Sequence, residues 1–279
     1  MKWLRSIGLA MTGAAAGLLF YSGSFFVKSY LENQQARDKY EEIQETYTAF
    51  EEEEKDPVPQ KKKTEPVLSV LPVSPAPKKE IEESFGIHWK ELRQVNPQIA
   101  GWVQIPGGDI SYPVVQGEDN SFYLSHSFER KEDLFGTIFL DWRNGKRFQD
   151  SHSFLYGHNM EGNMMFANLN RYESQEYLEQ CPEIYLYTPW KKYRYLIFSV
   201  EQAEEGSTSF SYGQKLKSTE FKDLLQYMKN RSFYDTGVEP EAFAPILTLV
   251  TCNSRLDENI RMLVHGTRVE TWSWNEEGE

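Results

Sequence analysis

Cysteine is nearly absent from this chain: Cys181 and Cys252 are the only two among 279 residues. At most one intramolecular disulfide can form, so a disulfide-dense scaffold is excluded. Basic residues are also few, with 30 Lys and Arg against 42 Asp and Glu and a formal net charge of −12. A nucleic-acid partner needs a basic face, and that class is set aside. No glycine-rich loop matches a phosphate cradle, and no pair of histidines or cysteines has metal-ligand spacing. Neither a metal nor a cofactor is therefore expected. No internal repeat is visible, and long uncharged apolar runs are missing with one exception at the N-terminus.

That exception is Ile7–Val27, "IGLAMTGAAAGLLFYSGSFFV", preceded by Lys2 and Arg5. At ~1.5 Å per residue it reaches ~30 Å, the thickness of a bilayer core. A cleaved signal peptide has a shorter apolar region, whereas this run continues through Phe25 and Phe26. Residues 7–27 are therefore expected to be a single-pass anchor, with residues 1–6 cytoplasmic and the rest outside. The outer part is acidic and has no electrostatic attraction to an anionic membrane surface.

Beyond the anchor, Ala36, Tyr40, Ile43, Tyr47 and Phe50 recur at spacings of four and three. This predicts an amphipathic juxtamembrane helix within residues 28–55. The pattern is too short for a coiled coil, and a helix standing in solvent is expected. Residues 56–80 hold six of the 13 prolines and read as a semi-rigid linker that keeps the next domain away from the membrane. The folded domain is expected at 81–279, opening with one or two helices in "EIEESFGIHWKELRQVNPQ".

Eight β-rich runs follow: "GWVQIPG", "ISYPVVQG", "LFGTIFLDW", "SHSFLYGH", "EIYLYTP", "YRYLIFSVEQAE", "ILTLVTC" and "RMLVHGTRVE". Turn residues punctuate them. The pattern predicts a mainly β fold, a closed barrel or a sandwich. "MMFANLNRY" and "STEFKDLLQYMKNRSFY" read as helices inserted between strands. Aromatics at 14% supply a large core.

The stretch "TLVTCNSR" places Cys252 where a buried strand should turn. A reactive cysteine needs partial exposure and a nearby positive group, whereas an inert one hides in a core. In an extracellular domain a Cys181–Cys252 disulfide is the alternative. "FLYGHNM" delivers His158 to a strand end in the same way, after Gly157, whose missing side chain permits close approach. An imidazole beside a thiol can make a nucleophile. Two arginines follow the cysteine. Arg255 lies in the expected loop, and Arg261 opens the next strand, which a hairpin returns beside Cys252. A guanidinium there can donate hydrogen bonds to an oxyanion.

"TLVTC", with "YGHNM" upstream and Arg261 downstream, resembles the sortases, cysteine transpeptidases of Gram-positive cell surfaces. "YPVVQ", "DNSFYL", "GTIFLD" and the insertion containing "STEFKDLLQYMKN" resemble class B in particular. The resemblance runs from about Asn96 to Val269. It implies a closed eight-stranded β-barrel with inserted helices, preceded by an N-terminal helical region and membrane anchor. It implies Cys252 as nucleophile, His158 as catalytic histidine and Arg261 as catalytic arginine, with Asn120, Leu124 and Thr251 near the substrate groove. The reaction it implies is cleavage of a C-terminal sorting signal after a threonine through a Cys thioester. Transfer to an amine of the cell wall follows. Pilin polymerisation through a lysine and release to water by a cell-wall peptidase are the alternatives. The implied partners are surface proteins or pilins that bear sorting signals, and the amine acceptor. A disulfide to Cys181 would disable the nucleophile.

Overall fold

The computed structural model describes residues 24, 27, 28, 30–50, 85–160, 162–211, 218–252 and 259–273. Its central element is a closed barrel of eight strands. These are β3 (Ile99–Ile105), β4 (Ile110–Val115), β5 (Phe139–Leu140), β6 (His152–Gly157), β9 (Glu183–Tyr187), β10 (Lys191–Glu204), β11 (Ile246–Cys252) and β12 (Ile260–Ser273). Going round the barrel the order is β10, β12, β11, β6, β5, β4, β3, β9. The eight sequence runs are these eight strands, and closure of β9 onto both β3 and β10 makes the fold a barrel and not a sandwich. Two contacts are parallel, β6 with β11 and β4 with β5.

Alternation explains the filling. Leu247 and Leu249 of β11 enter the barrel with Leu155, Val200, Met262 and Val264. Thr248 and Val250 face the other way. Each fully buried Leu, Val or Phe stabilises the fold by ~1.5–3 kcal/mol. Outside the barrel, helix α4 (Ser218–Arg231) lays Phe221, Leu224, Leu225 and Met228 against Phe198 and Ile246. Their spacing of three and four is one helical face. The stretch "MMFANLNRY" forms a 3₁₀ helix, Ala167–Glu173, and Gln175–Gln180 follow as α3.

The N-terminal region departs from expectation. Helix α1 spans 30–47, but it does not stand in solvent. Ala36, Tyr40 and Ile43 are buried in the same core cluster as the barrel residues. Its end runs into β1 (Thr48–Phe50), which pairs antiparallel with β2 (Phe85–Ile87). Helix α2 begins only at Trp89 and ends at Val95, so the expected helical start at 81 is in part a strand. Phe50 and Phe85 are ladder partners, about 5 Å apart in such a pair. The chain positions on either side of residues 51–84 therefore lie side by side; the expected proline-rich linker at 56–80 lies outside the described residues.

β7 (Asn159–Met160) and β8 (Met164–Met165) form a short hairpin beyond β6. Among the described residues no helix is long and apolar enough to cross a membrane. The expected anchor lies almost wholly outside the described residues.

Candidate active site

Two ladders converge at one end of the barrel. In the parallel β6–β11 pair the last partners are Gly157 and Thr251, so the next residues on each strand are His158 and Cys252. In the antiparallel β11–β12 pair Cys252 faces Arg261. His158, about ninety residues upstream of Cys252, thus sits with Cys252 and Arg261 on neighbouring strand ends. Arg255 lies outside the described residues.

Gly157 has a packing reason. A Cβ there would lie 2.4 Å from Ile138 Cδ1 and 2.8 Å from the Phe166 ring, below any normal carbon contact. Glycine lets the strand end seat itself against these two buried side chains and carry His158 out at the rim. The His158 ring is half-buried. Its Nε2 lies 2.7 Å from the carbonyl of Leu124. A carbonyl only accepts, so Nε2 carries a hydrogen and Nδ1 is the nitrogen able to exchange a proton with a bound molecule. The backbone carbonyl of His158 accepts from Phe166 N at 2.9 Å. Arg261 Nη2 donates to Glu205 Oε2 at 3.2 Å, which turns the guanidinium along the rim.

The floor under the rim is apolar: Phe154, Ala203, Phe210, Val250 and Leu263 pack together with Tyr156 against them. Deeper still runs a buried polar chain. His152 Nε2 lies 2.6 Å from Thr248 Oγ1, which lies 2.7 Å from His265 Nδ1. His265 Nε2 meets Glu201, which also accepts from Ser209 and Arg231. Burial holds the His152 imidazole well below its ordinary range. Burial pushes the Glu201 carboxyl up, but hydrogen bonds from His265, Ser209 and Arg231 outweigh it and leave it below the usual carboxylate range.

The three residues expected near a substrate groove behave differently. Leu124 is 40% exposed and meets His158 through its carbonyl. Asn120 is already engaged: Nδ2 donates to Asp141 Oδ2 at 2.8 Å, and Oδ1 accepts from Trp142 N at 3.0 Å. Asp141 also accepts from Arg143 and from Tyr156 OH. Burial pushes its carboxyl up, yet the Arg143 and Asn120 bonds win and hold it below the ordinary range. Thr251 is 1% exposed and paired with core Met262, on the opposite side of the strand from Val250. Its hydroxyl has no hydrogen-bond partner among the described residues, and only its backbone is available to a molecule in the groove.

Cys181 is a free, buried thiol after α3, so the disulfide alternative is excluded. Burial pushes that thiol up, which disfavours the reactive thiolate. Sequence reasoning missed Glu205, Asp141 and Tyr156. Only Tyr156 had a signal: it lies two residues before His158 and shares its face by strand alternation.

The arrangement can transfer an acyl group: a thiol-bearing position between an imidazole and a guanidinium, above a dry floor. The Sortase domain family matches residues 103–269. Sortase B of Listeria monocytogenes is 34% identical over 183 residues, which cover 64% of this chain and 73% of that protein. The structure of sortase B from B. anthracis in complex with AAEK1 matches 86% of this chain and 99% of that one, with 26% identity and a TM-score of 0.67. A Staphylococcus aureus sortase B–substrate complex matches 65% and 84%, with 28% identity and a TM-score of 0.60.

Proposed function

The chain belongs to the sortase family, as a class B cysteine transpeptidase that anchors proteins to the cell wall, and we propose that Cys252, His158 and Arg261 carry its chemistry. The Cys252 thiolate attacks the carbonyl carbon after a threonine of the sorting signal. The carbonyl oxygen takes up the electron pair, and N–H groups of Arg261 stabilise it. Such a donor typically contributes ~3–4 kcal/mol. The C–N bond then breaks, and Nδ1–H of His158 protonates the leaving amine while Nε2–H stays on the Leu124 carbonyl. A thioester is left on Cys252. An amine of a cell-wall precursor attacks it, His158 takes the amine proton, and the thiolate returns. General acid–base help of this kind is worth ~10²–10⁴-fold.

The observation that carries this reading is the double register at one barrel end, with Cys252 opposite Arg261 and one step beyond the Gly157–Thr251 rung. The half-exposed Leu124 and the Asn120–Asp141–Tyr156 cluster support a peptide groove on the same side. Sortases are cell-surface enzymes. For this chain we take residues 7–27 as the single-pass anchor, residues 1–6 as the cytoplasmic tail and the barrel as extracellular.

The test is mass spectrometry of the full chain with a pooled library of peptides carrying threonine at the scissile position. An acyl adduct on Cys252 is expected. Cys252→Ala should abolish turnover, and Cys181→Ala should leave it within about twofold, since Cys181 is far in the fold from the strand ends. Added triglycine should divert product from acid to amide. Product that stays acid at every amine concentration would make the enzyme a peptidase. Equal damage from the two cysteine substitutions would overturn the assignment of Cys252.

A further inference from the structure

We propose that helix α1 is a positioning element of the active site, fixing from outside the barrel the two loops that hold His158. The inference rests on the reading of His158 as the acid–base residue and extends it to a segment before the barrel.

Two routes lead from α1 to His158. The first runs through the loop between β4 and β5. The Tyr40 hydroxyl donates to the Gly136 carbonyl at 2.6 Å in a buried setting. Gly136 has φ of +59°, and a Cβ there would lie 2.5 Å from the Tyr123 carbonyl oxygen and 2.9 Å from that of Leu124. No other residue could press so closely on those two carbonyls. The next residue, Thr137, donates its N–H to Tyr123 O at 3.0 Å. Leu124 O is the acceptor of His158 Nε2. Lys39 anchors the same loop through Asp133 at 3.2 Å and Glu129 at 3.7 Å.

The second route runs through the β7–β8 hairpin, which begins one residue after His158. Arg37 Nη2 donates to the Gly162 carbonyl in its turn at 2.7 Å. The Tyr40 ring meets Tyr112 edge-on at 5.6 Å. Tyr112 OH accepts from Met165 N at 3.1 Å, and the following residue, Phe166, donates its N–H to the His158 carbonyl. One route thus sets the imidazole and the other its backbone. Neither passes through β11 or β12, which carry Cys252 and Arg261. The helix is therefore coupled to proton transfer and not to the nucleophile.

This placement gives the segment before the barrel a part in the chemistry. A chain cut at Ile81 loses both routes and the β1–β2 pairing.

The test uses the full chain in detergent micelles with the combined Arg37→Ala and Tyr40→Phe change. Tyr40→Phe keeps the ring and removes one hydroxyl, and Ala36 and Ile43 stay in place to hold the helix. The probe is the best-cleaved member of the threonine peptide library, internally quenched. The expected result is a kcat lower by roughly tenfold, part of the full acid–base contribution, with KM within about twofold. The rate of Cys252 alkylation by iodoacetamide should stay within about twofold, and the limb of the kcat–pH profile set by the imidazole should move. Arg37→Lys, which can still donate to Gly162 O, should recover much of the loss when Tyr40 is intact. A KM effect with unchanged kcat, or alkylation falling in step with turnover, would overturn the proposal. So would a double variant with unaltered kcat in a chain that His158→Ala inactivates. If His158→Ala itself turned over normally, the acid–base reading would fall first and the proposal with it.

Discussion

Replacing Gly157 by alanine tests how the strand end carries His158. Its φ is not in the left-handed region, so alanine meets no backbone penalty and the cost is one of packing. The new Cβ would sit 2.4 Å from Ile138 Cδ1 and 2.8 Å from two Phe166 ring atoms, whereas carbon contacts are comfortable at ~3.5–4.0 Å. Ile138 and Phe166 are both fully buried, and neither can swing into open space. Overpacking of this sort costs ~1–3 kcal/mol. Against it stands the gain from a less flexible unfolded chain, ~0.4–1 kcal/mol. The net loss is about 1–2 kcal/mol, or a Tm lower by ~2–8 °C for a domain of this size. Acylation by the sorting peptide should slow as well, because the relieved strand carries His158 away from Leu124 O. Ile138→Val removes the offending methyl. Alone it should cost ~0.5–1.5 kcal/mol; beside Gly157→Ala it should cost nothing or restore stability, a coupling of at least ~0.5 kcal/mol. Urea titration of the four chains, with single-turnover acylation on each, provides the measurement. A Gly157→Ala chain as stable as the parent, or strictly additive effects with Ile138→Val, would refute the packing argument.

Arg261→Lys keeps the charge but loses the planar fork, and single-turnover acylation should fall roughly 10²-fold, the scale of one lost oxyanion donor. Arg255→Ala should change the same rate little; if it were the more damaged enzyme, the choice between the two arginines would be reversed. Stability should decline below neutral pH because of His152. Its unfolded form takes up a proton near pH ~6.5 while the buried native ring stays neutral, so the unfolded state binds more protons and acid favours unfolding. Between pH 7.5 and 5.5 this amounts to about 1.4 kcal/mol. His152→Gln should lower stability at both values but shrink the difference between them by that amount in urea titrations. An unchanged difference would mean that native His152 takes up a proton as readily as it does in the unfolded chain.

The sequence by itself determined the strands and singled out the groups proposed to react. Short β-rich runs punctuated by turn residues marked all eight barrel strands. The run "STEFKDLLQYMKNRSFY" was legible as a helix, and Phe221, Leu224, Leu225 and Met228 form its buried face. Cys252, His158 and Arg261 were legible as candidates because thiol, imidazole and guanidinium are chemically distinctive and stand at strand boundaries. Tertiary structure alone decided how these parts meet. Barrel closure, the parallel β6–β11 register and the β1–β2 pairing join segments far apart in the chain, and no local pattern encodes such pairings. The fixing of His158 by Leu124 O, and of that loop by Tyr40 through Gly136 O, uses backbone carbonyls, which every residue possesses. The amphipathic stripe of α1 announced that a partner exists. Which surface it covers depends on the barrel's shape, and that shape arises only when the ladders close.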